Sequence, residues 1–451
     1  MVGRRPPAAG ATPPLERILA PFREFFGAEV AGGIVLLAAT LVALGWANSP
    51  WVASYGALWQ TPLAVGTEAV GLRKPLQLWI NDGLMAIFFF VVGLEIKREV
   101  LHGELASPRR ALLPVLAALG GAVFPALIYL AFNLGTDAAR GWGIAMATDI
   151  AFALGLLAIL GSRVPTALKV FVTALAIVDD ILAVLVIGLF YTANLDLRWL
   201  AVAAAALGLL GLANRLGVAR LDVYAVLAVG LWLAVLQSGI HATLAGVMAA
   251  MTIPARAQRT PDEALATVAA VLPRPGWDAA APAPAGDPDP EEALRRVRAA
   301  AEAAEAPLER LEHALHPWTA FAIVPLFALA NAGVTVGDHL AATVASPVAY
   351  GIVAGLVVGK QVGILSATWL AVRSGLASLP SGVSWLHVWG GSWAAGIGFT
   401  MSLFIAELAF PGQVRLEVAK LGILAASVTA ATGGAVVLGL GGRRRRTGGP
   451  S

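Results

Sequence analysis

Long apolar stretches separated by short polar ones dominate this chain. A helix needs about 20 mostly apolar residues to cross the hydrocarbon core of a bilayer. On that pattern the sequence predicts twelve membrane spans, over 30–47, 76–97, 111–131, 142–160, 167–190, 197–213, 221–237, 240–254, 317–336, 347–372, 385–409 and 417–440. Twelve is even, so both termini share a side.

The remaining segments divide the chain further. Residues 1–29 form an N-terminal segment with an amphipathic stretch from Leu15 to Phe26, suited to lying on the cytoplasmic membrane face. No cleavable signal is expected, because the first long apolar run begins only near Val30. Spans one to eight occupy 30–254. Within them, 48–75 holds Pro50, Gly56, Pro62, Gly66 and Gly71 among alternating apolar positions, as a small extracytoplasmic β-hairpin would. Residues 255–316 form a cytoplasmic loop, with a Pro/Ala-rich part from Pro273 to Pro290 and a polar helix from Glu291 to His313. Spans nine to twelve occupy 317–440, and 441–451 is a basic cytoplasmic tail.

Two spans read as interrupted. The fourth contains Gly141-Trp142-Gly143 and then Ala147-Thr148-Asp149, and the eleventh contains Gly390-Gly391 and then Gly396-Ile397-Gly398-Phe399-Thr400. Thr148 precedes Phe152 by four residues, as Thr400 precedes Phe404. Gly-interrupted segments in matching places of two halves point to a transporter binding site. Crossed half-helices would bring opposing dipole ends together, where nearby charges can neutralise them.

Composition agrees with the spans: 58% of the 451 residues are hydrophobic and 13% charged, which excludes an ordinary soluble domain. Forty-nine glycines suit close helix packing in lipid. The absence of cysteine excludes disulfides and thiolate chemistry. A net charge of +3 could suggest nucleic acid in a soluble chain, but here the distribution of the charges explains it. With the termini cytoplasmic, 24 of the 31 Lys and Arg fall inside; only Arg73, Lys74, Arg140, Arg198, Arg415 and Lys420 fall outside, and Lys360 lies within a span. The positive-inside rule fixes that orientation.

Charges inside spans carry the chemistry, since each costs several kcal/mol (about 2.5 and upward) to hold there. Asp179 and Asp180 sit in the middle of the fifth span, Asp149 in the fourth and Lys360 in the tenth. Burial favours the neutral form of a carboxyl group, whereas a hard cation favours the ionised form. One carboxylate can therefore couple sodium to protons by competition. Oxygen donors suit a small hard cation, and Asp180, Asp149 and the Thr148 hydroxyl could supply them. Adjacent residues differ by about 100° around a helix, so one aspartate is expected on the ion cavity and the other on a partner. A buried salt bridge from Lys360 to Asp179 would provide that partner. Asp82 reads as a helix-end acid, Glu407 as interfacial, and His241 as structural. Glu95, beside Lys97, Arg98 and Glu99, is either a solvated charge or a pH-sensing one.

The chain resembles the NhaA family of bacterial sodium/proton antiporters. The residues that carry the likeness include Trp79-Ile80-Asn81-Asp82, Gly93-Leu94-Glu95-Ile96-Lys97-Arg98-Glu99, Ala147-Thr148-Asp149-Ile150-Ala151-Phe152 and Ile177-Val178-Asp179-Asp180-Ile181. They continue with Ser238-Gly239-Ile240-His241-Ala242-Thr243, Leu311-Glu312-His313, His316-Pro317-Trp318, Gly359-Lys360 and Gly396-Ile397-Gly398-Phe399-Thr400-Met401-Ser402. Together they cover most of 76–410 in order.

The resemblance implies an all-α polytopic membrane protein of about twelve transmembrane helices, with inverted-topology repeats and interrupted crossing helices at segments four and eleven. The inverted repeat is a known property of that family rather than a reading of these residues. It implies a transporter and not an enzyme: electrogenic export of sodium or lithium ions against protons, pH-regulated, in the bacterial inner membrane, serving pH and sodium homeostasis. Asp179 and Asp180 would be the central ion and proton site where the transported sodium ion binds, Lys360 the partner of Asp179, and Thr148 and Asp149 the residues at the helix crossing. Glu95, Glu312, His313 and His316 would be candidates for pH response. A homodimer touching through the hairpin is implied, with no resident cofactor and no nucleic-acid partner. The loop before Glu312 is longer and richer in Pro and Ala than the family pattern, which bears on the pH threshold and leaves the transport core alone.

Other classes fit less well. An intramembrane aspartyl protease would carry a Gly-x-Gly-Asp motif, which the chain lacks, and would have no use for Lys360. A sodium-coupled symporter would need a larger cavity for an organic substrate. A channel suits paired mid-membrane charges poorly. An ATP-driven pump would need a Gly-rich nucleotide loop, and none is present.

Overall fold

The computed structural model describes residues 28–66, 71–192, 195–257, 259–271, 290–412 and 414–447. The amphipathic stretch expected at Leu15–Phe26, most of the Pro/Ala-rich part of the 255–316 loop and the last residues of the tail lie outside them.

Helices account for nearly every described element. In chain order they are α1 (Ala28–Ala47), α2 (Val52–Gln60), α3 (Leu76–His102), α4 (Pro108–Asn133), a 3₁₀ stretch (Asp137–Met146), α5 (Ile150–Ile159), α6 (Thr166–Phe190), α7 (Leu197–Arg215), α8 (Leu221–Ser238), α9 (Thr243–Thr252), α10 (Pro261–Val271), α11 (Pro290–Ala304), α12 (Pro307–Asn331), α13 (Val336–Val344), α14 (Pro347–Arg373), α15 (Trp385–Ala395), α16 (Phe399–Ala409) and α17 (Val414–Thr447). Strands β1 (Pro62–Gly66) and β2 (Gly71–Pro75) pair antiparallel, with Ala64 opposite Arg73.

Among the described residues, ten helices have the length and hydropathy to cross a bilayer, and α15 with α16, bent by 44° at their junction, make eleven if counted as one span. The segment expected as a span at 240–254 is α9, a helix of ten residues. That falls short of the ~20 a perpendicular crossing needs. Large apolar side chains such as Leu41, Leu189, Leu209 and Val226 stand exposed on these helices, as lipid-facing positions do.

The loop before the ninth span departs from the single polar helix expected over 291–313. Pro307 ends that continuity: Ala306 before it is extended (φ −64°, ψ 138°), and α12 restarts with Pro307 in its first turn. Proline disfavours helical geometry at the residue before it, yet is well placed at a helix start. Helix α12 then continues through Pro317 into the apolar segment, by way of an i→i+5 turn at Thr319–Ile323.

The chain divides into two compact units. Among the described residues, one comprises those within 28–58, 112–179 and 324–447; the other comprises those within 59–111 and 180–323. In the first unit, α4 and α14 approach so closely that a Cβ on Gly363 would lie 2.1 Å from the Gly120 carbonyl oxygen. Only glycine permits that approach, which in lipid supplies the van der Waals contact that holds helices together. In the second unit a Cβ on Gly246 of α9 would meet the Ala86 carbonyl of α3 at the same distance. Its core gathers Leu94, Leu210, Tyr224, Leu231, Ala245, Ala249 and Leu308.

Candidate functional site

The first unit holds the fourth, tenth and eleventh apolar segments, and two of them lose helical geometry at one level. Ala147, Thr148 and Asp149 are extended or turn-like between the 3₁₀ stretch and α5, with φ, ψ of −73°, 146° at Ala147 and −92°, 101° at Asp149. Residues 396–398 separate α15 from α16. The two gaps bond to each other: the Asp149 backbone N–H donates to the Ile397 carbonyl at 2.6 Å, and the Thr148 hydroxyl donates to the Ala395 carbonyl at 2.7 Å. Backbone freed from helical bonding at membrane depth has to be satisfied inside the protein, and here each gap satisfies the other.

Asp149 caps two helices. Its Oδ1 accepts from the Phe152 N–H at 3.1 Å, the N-cap bond of α5. Its Oδ2 accepts from the Thr400 N–H at 2.8 Å and from the Thr400 hydroxyl, at the start of α16. A carboxylate is favoured where helix N-termini present their unpaired N–H groups. Asp149 is 2% exposed, and both of its oxygens are engaged within the protein.

Lys360 stands at the other pole. It follows an i→i+5 turn at Gly355–Gly359 in α14, a distortion frequent at functional sites. Its Nζ donates to Asp179 Oδ2 at 2.7 Å and to the Thr148 Oγ1 at 2.9 Å, and the lysine and aspartate side chains are 0% and 1% exposed. Through Thr148 the ammonium lies two hydrogen bonds from the Ala395 carbonyl at the C-terminal end of α15, the pole of a helix that favours a cation. Asp179 Oδ1 has no hydrogen-bond partner among the described residues. Asp180, the next residue of α6, is 4% exposed.

Of the residues singled out in the sequence, Thr148, Asp179 and Lys360 therefore share direct contacts, and Asp149 is turned toward Thr400. The pH-response candidates belong to the second unit, where Glu312 has both Glu95 and His313 among its charged neighbours. Glu312 is buried and ion-paired with Arg98 of α3. Glu95 has Glu312, Arg98 and Glu99 as charged neighbours. His313 is exposed, with Nδ1 3.4 Å from Glu305, and His316 is exposed. In the same unit Asp82 pairs with Lys74 at 2.7 Å.

Several polar contacts escaped the sequence. Thr400 is the partner of Asp149, and the one signal was its place in the Thr-x-x-x-Phe arrangement shared with Thr148. Glu407, read as interfacial, lies 3.1 Å from Lys420 of α17, which is itself 4% exposed and 3.5 Å from Glu417. A buried lysine draws the acid inward because an unpaired ammonium there would be costly.

The family model described as "Na+/H+ antiporter 1" matches residues 23–438. The chain is 53% identical to "Na(+)/H(+) antiporter NhaA" of Oleidesulfovibrio alaskensis over 432 residues, 95% of this chain and 96% of that protein. It is 49% identical to the protein of the same description from Koribacter versatilis, over 94% of this chain and 92% of that one. With that of Rhodospirillum rubrum it shares 46% identity over 96% of this chain and 100% of that one. With a match over almost its entire length and close relatives of equal extent, the chain belongs to the Na+/H+ antiporter 1 family.

Proposed function

We propose that this protein is a secondary active transporter that expels sodium ions, and lithium ions in their place, in exchange for protons. The observation that carries the reading is the buried Lys360–Asp179 pair beside a second buried carboxylate, Asp180. Asp179 and Asp180 are the site at which the transported sodium ion and the protons compete, and neutral Thr148 adds an oxygen donor. A cation arriving at the aspartates weakens the hold of Asp179 on the Lys360 ammonium and favours release of a proton. Asp149 keeps the two gaps in register, and joins the ion ligands when Thr400 lets go of one of its oxygens. Alternating access then exposes the aspartates to one side at a time, by movement of the inverted pair of segments three to five and ten to twelve.

The exchange is electrogenic, with more protons entering than sodium ions leaving, and Glu95, Glu312, His313 and His316 set its response to pH. The protein works as a homodimer in the bacterial inner membrane with both termini cytoplasmic, needs no resident cofactor, and serves pH and sodium homeostasis. The membrane orientation rests on the excess of Lys and Arg on one side.

The test uses everted membrane vesicles with an imposed proton gradient and a fluorescent pH probe. Sodium or lithium should collapse the gradient in the parent protein at neutral to alkaline pH, potassium should not, and Asp180→Asn should abolish the response. A parent that moves no protons on cation addition sinks the antiport reading, while an active Asp180→Asn sinks the site.

A further inference from the structure

We propose that Gln361 and Ser392 form a positioning pair that sets the geometry of the Thr148 hydroxyl in the candidate cation site, an inference that rests on the antiport reading for its functional meaning. Gln361 follows Lys360 on α14, and its side chain is hydrogen-bonded to the Ser392 hydroxyl of α15. Both are buried, at 7% and 1% exposed. Three residues after Ser392, the Ala395 carbonyl accepts the Thr148 hydroxyl proton, and Thr148 in turn accepts from Lys360. Helices α14 and α15 are thus tied twice within one helical turn: once directly by two neutral side chains, and once through Thr148.

The proton assignments make the pair directional. Ser392 has one hydroxyl proton, and its oxygen reaches both the Gln361 amide and the Trp389 carbonyl, the latter at 2.7 Å. In this placement of the amide, Gln361 Nε2 has no hydrogen-bond partner among the described residues. Exchanging the amide nitrogen and oxygen leaves every heavy-atom position unchanged and gives an ordered relay. Gln361 N–H then donates to Ser392, and Ser392 O–H donates to Trp389.

The consequence falls on Thr148. Its single proton is committed to Ala395, so its lone pairs face Lys360 or a cation. Were α15 to slip along α14, that proton would lose its acceptor, and the hydroxyl could turn to offer a proton where a cation needs an oxygen. The Gln361–Ser392 tie carries no charge, so neither proton nor cation binding alters it. It is a fixed reference against which the charged contacts of Lys360 and Asp179 change.

The experiment compares the parent with Ser392→Ala, Gln361→Leu and Ser392→Thr in the full chain. Two quantities are read: the sodium concentration giving half-maximal antiport and the maximal rate, normalised to folded protein. Sodium-dependent thermal stabilisation of the purified proteins reads cation binding without transport. Ser392→Ala and Gln361→Leu should raise the half-saturating sodium concentration about 3- to 10-fold, the effect of one neutral hydrogen bond. The maximal rate should stay within about 2-fold, since the pair touches no transported ion. Ser392→Thr, which keeps the hydroxyl, should restore the parent value. A fall in maximal rate with unchanged half-saturation would mark a merely structural contact and overturn the proposal. If the parent exchanged no protons yet the Ser392→Ala protein needed more sodium for stabilisation, antiport would fail and the pair would stand. Equal sodium dependence in parent and variants, or none in the parent, overturns the pair.

Discussion

Lys360 Nζ lies 2.7 Å from Asp179 Oδ2 with both side chains shut off from solvent. Such a pair is costly to assemble and more costly to break, because removing one partner leaves an unpaired charge at about 3–5 kcal/mol. Lys360→Ala and Asp179→Asn should each lower the thermal stability of the detergent-solubilised protein by an amount of that order. The double variant should lose less than the sum of the two. Additive losses in a double-mutant cycle would show that the two side chains are not coupled.

Thr400 holds the capping carboxylate of the opposite gap through both its N–H and its hydroxyl. Thr400→Val keeps the shape and removes one bond to a carboxylate, worth about 1.5–3 kcal/mol. Because Asp149 joins the ion ligands only when Thr400 releases it, this variant should need about 10-fold less sodium for half-saturation, measured by gradient collapse in everted vesicles. An unchanged sodium dependence would mean that Asp149 is held well enough by its remaining donors.

Close backbone approach gives a test of packing alone. Gly363→Ala would drive a methyl group to 2.1 Å from the Gly120 carbonyl oxygen, a backbone atom that no side-chain rotation can move. Overpacking of that kind costs about 1–3 kcal/mol, so a lower thermal midpoint is expected. Gly208→Ala, with nothing within 4 Å, is the control and should be silent.

Outside the membrane, Glu302 on α11 accepts a hydrogen bond from Arg298 at 2.8 Å. That bond holds its carboxyl below the ordinary glutamate range. For an acid with a depressed folded-state pKa, the stabilisation is complete above the unfolded value, about 4.3, and disappears as pH falls through the folded one. The pair is exposed, so the effect is local. An NMR titration should place Glu302 below the ordinary glutamate range, and Arg298→Gln should move it back up.

The sequence by itself determined the class of protein and the places where its chemistry had to lie. Apolar runs of spanning length need no tertiary information, since the thickness of the bilayer sets them. The same holds for Asp149, Asp179, Asp180 and Lys360: a charge within such a run is too costly to be idle, whatever it touches. Gly396 and Gly398 likewise marked a weak point in the eleventh segment.

The tertiary structure decided which groups meet. That Lys360 faces Asp179 and Thr148, that Asp149 reaches Thr400 across 251 residues of chain, and that Glu407 meets Lys420 all depend on contacts between separate elements. Gln361 and Ser392 gave no sign in the sequence, because a neutral polar residue in an apolar run looks the same whether it faces lipid or a neighbouring helix. The ten-residue α9 was equally hidden, since the apolar run begins at Ile240 whereas helical geometry begins only at Thr243 and ends at Thr252. Hydrophobicity is a sum over local residues and can be read one segment at a time. Hydrogen-bond partners are fixed by the relative placement of separate segments, some of them hundreds of residues apart, and that exists only once the helices have packed.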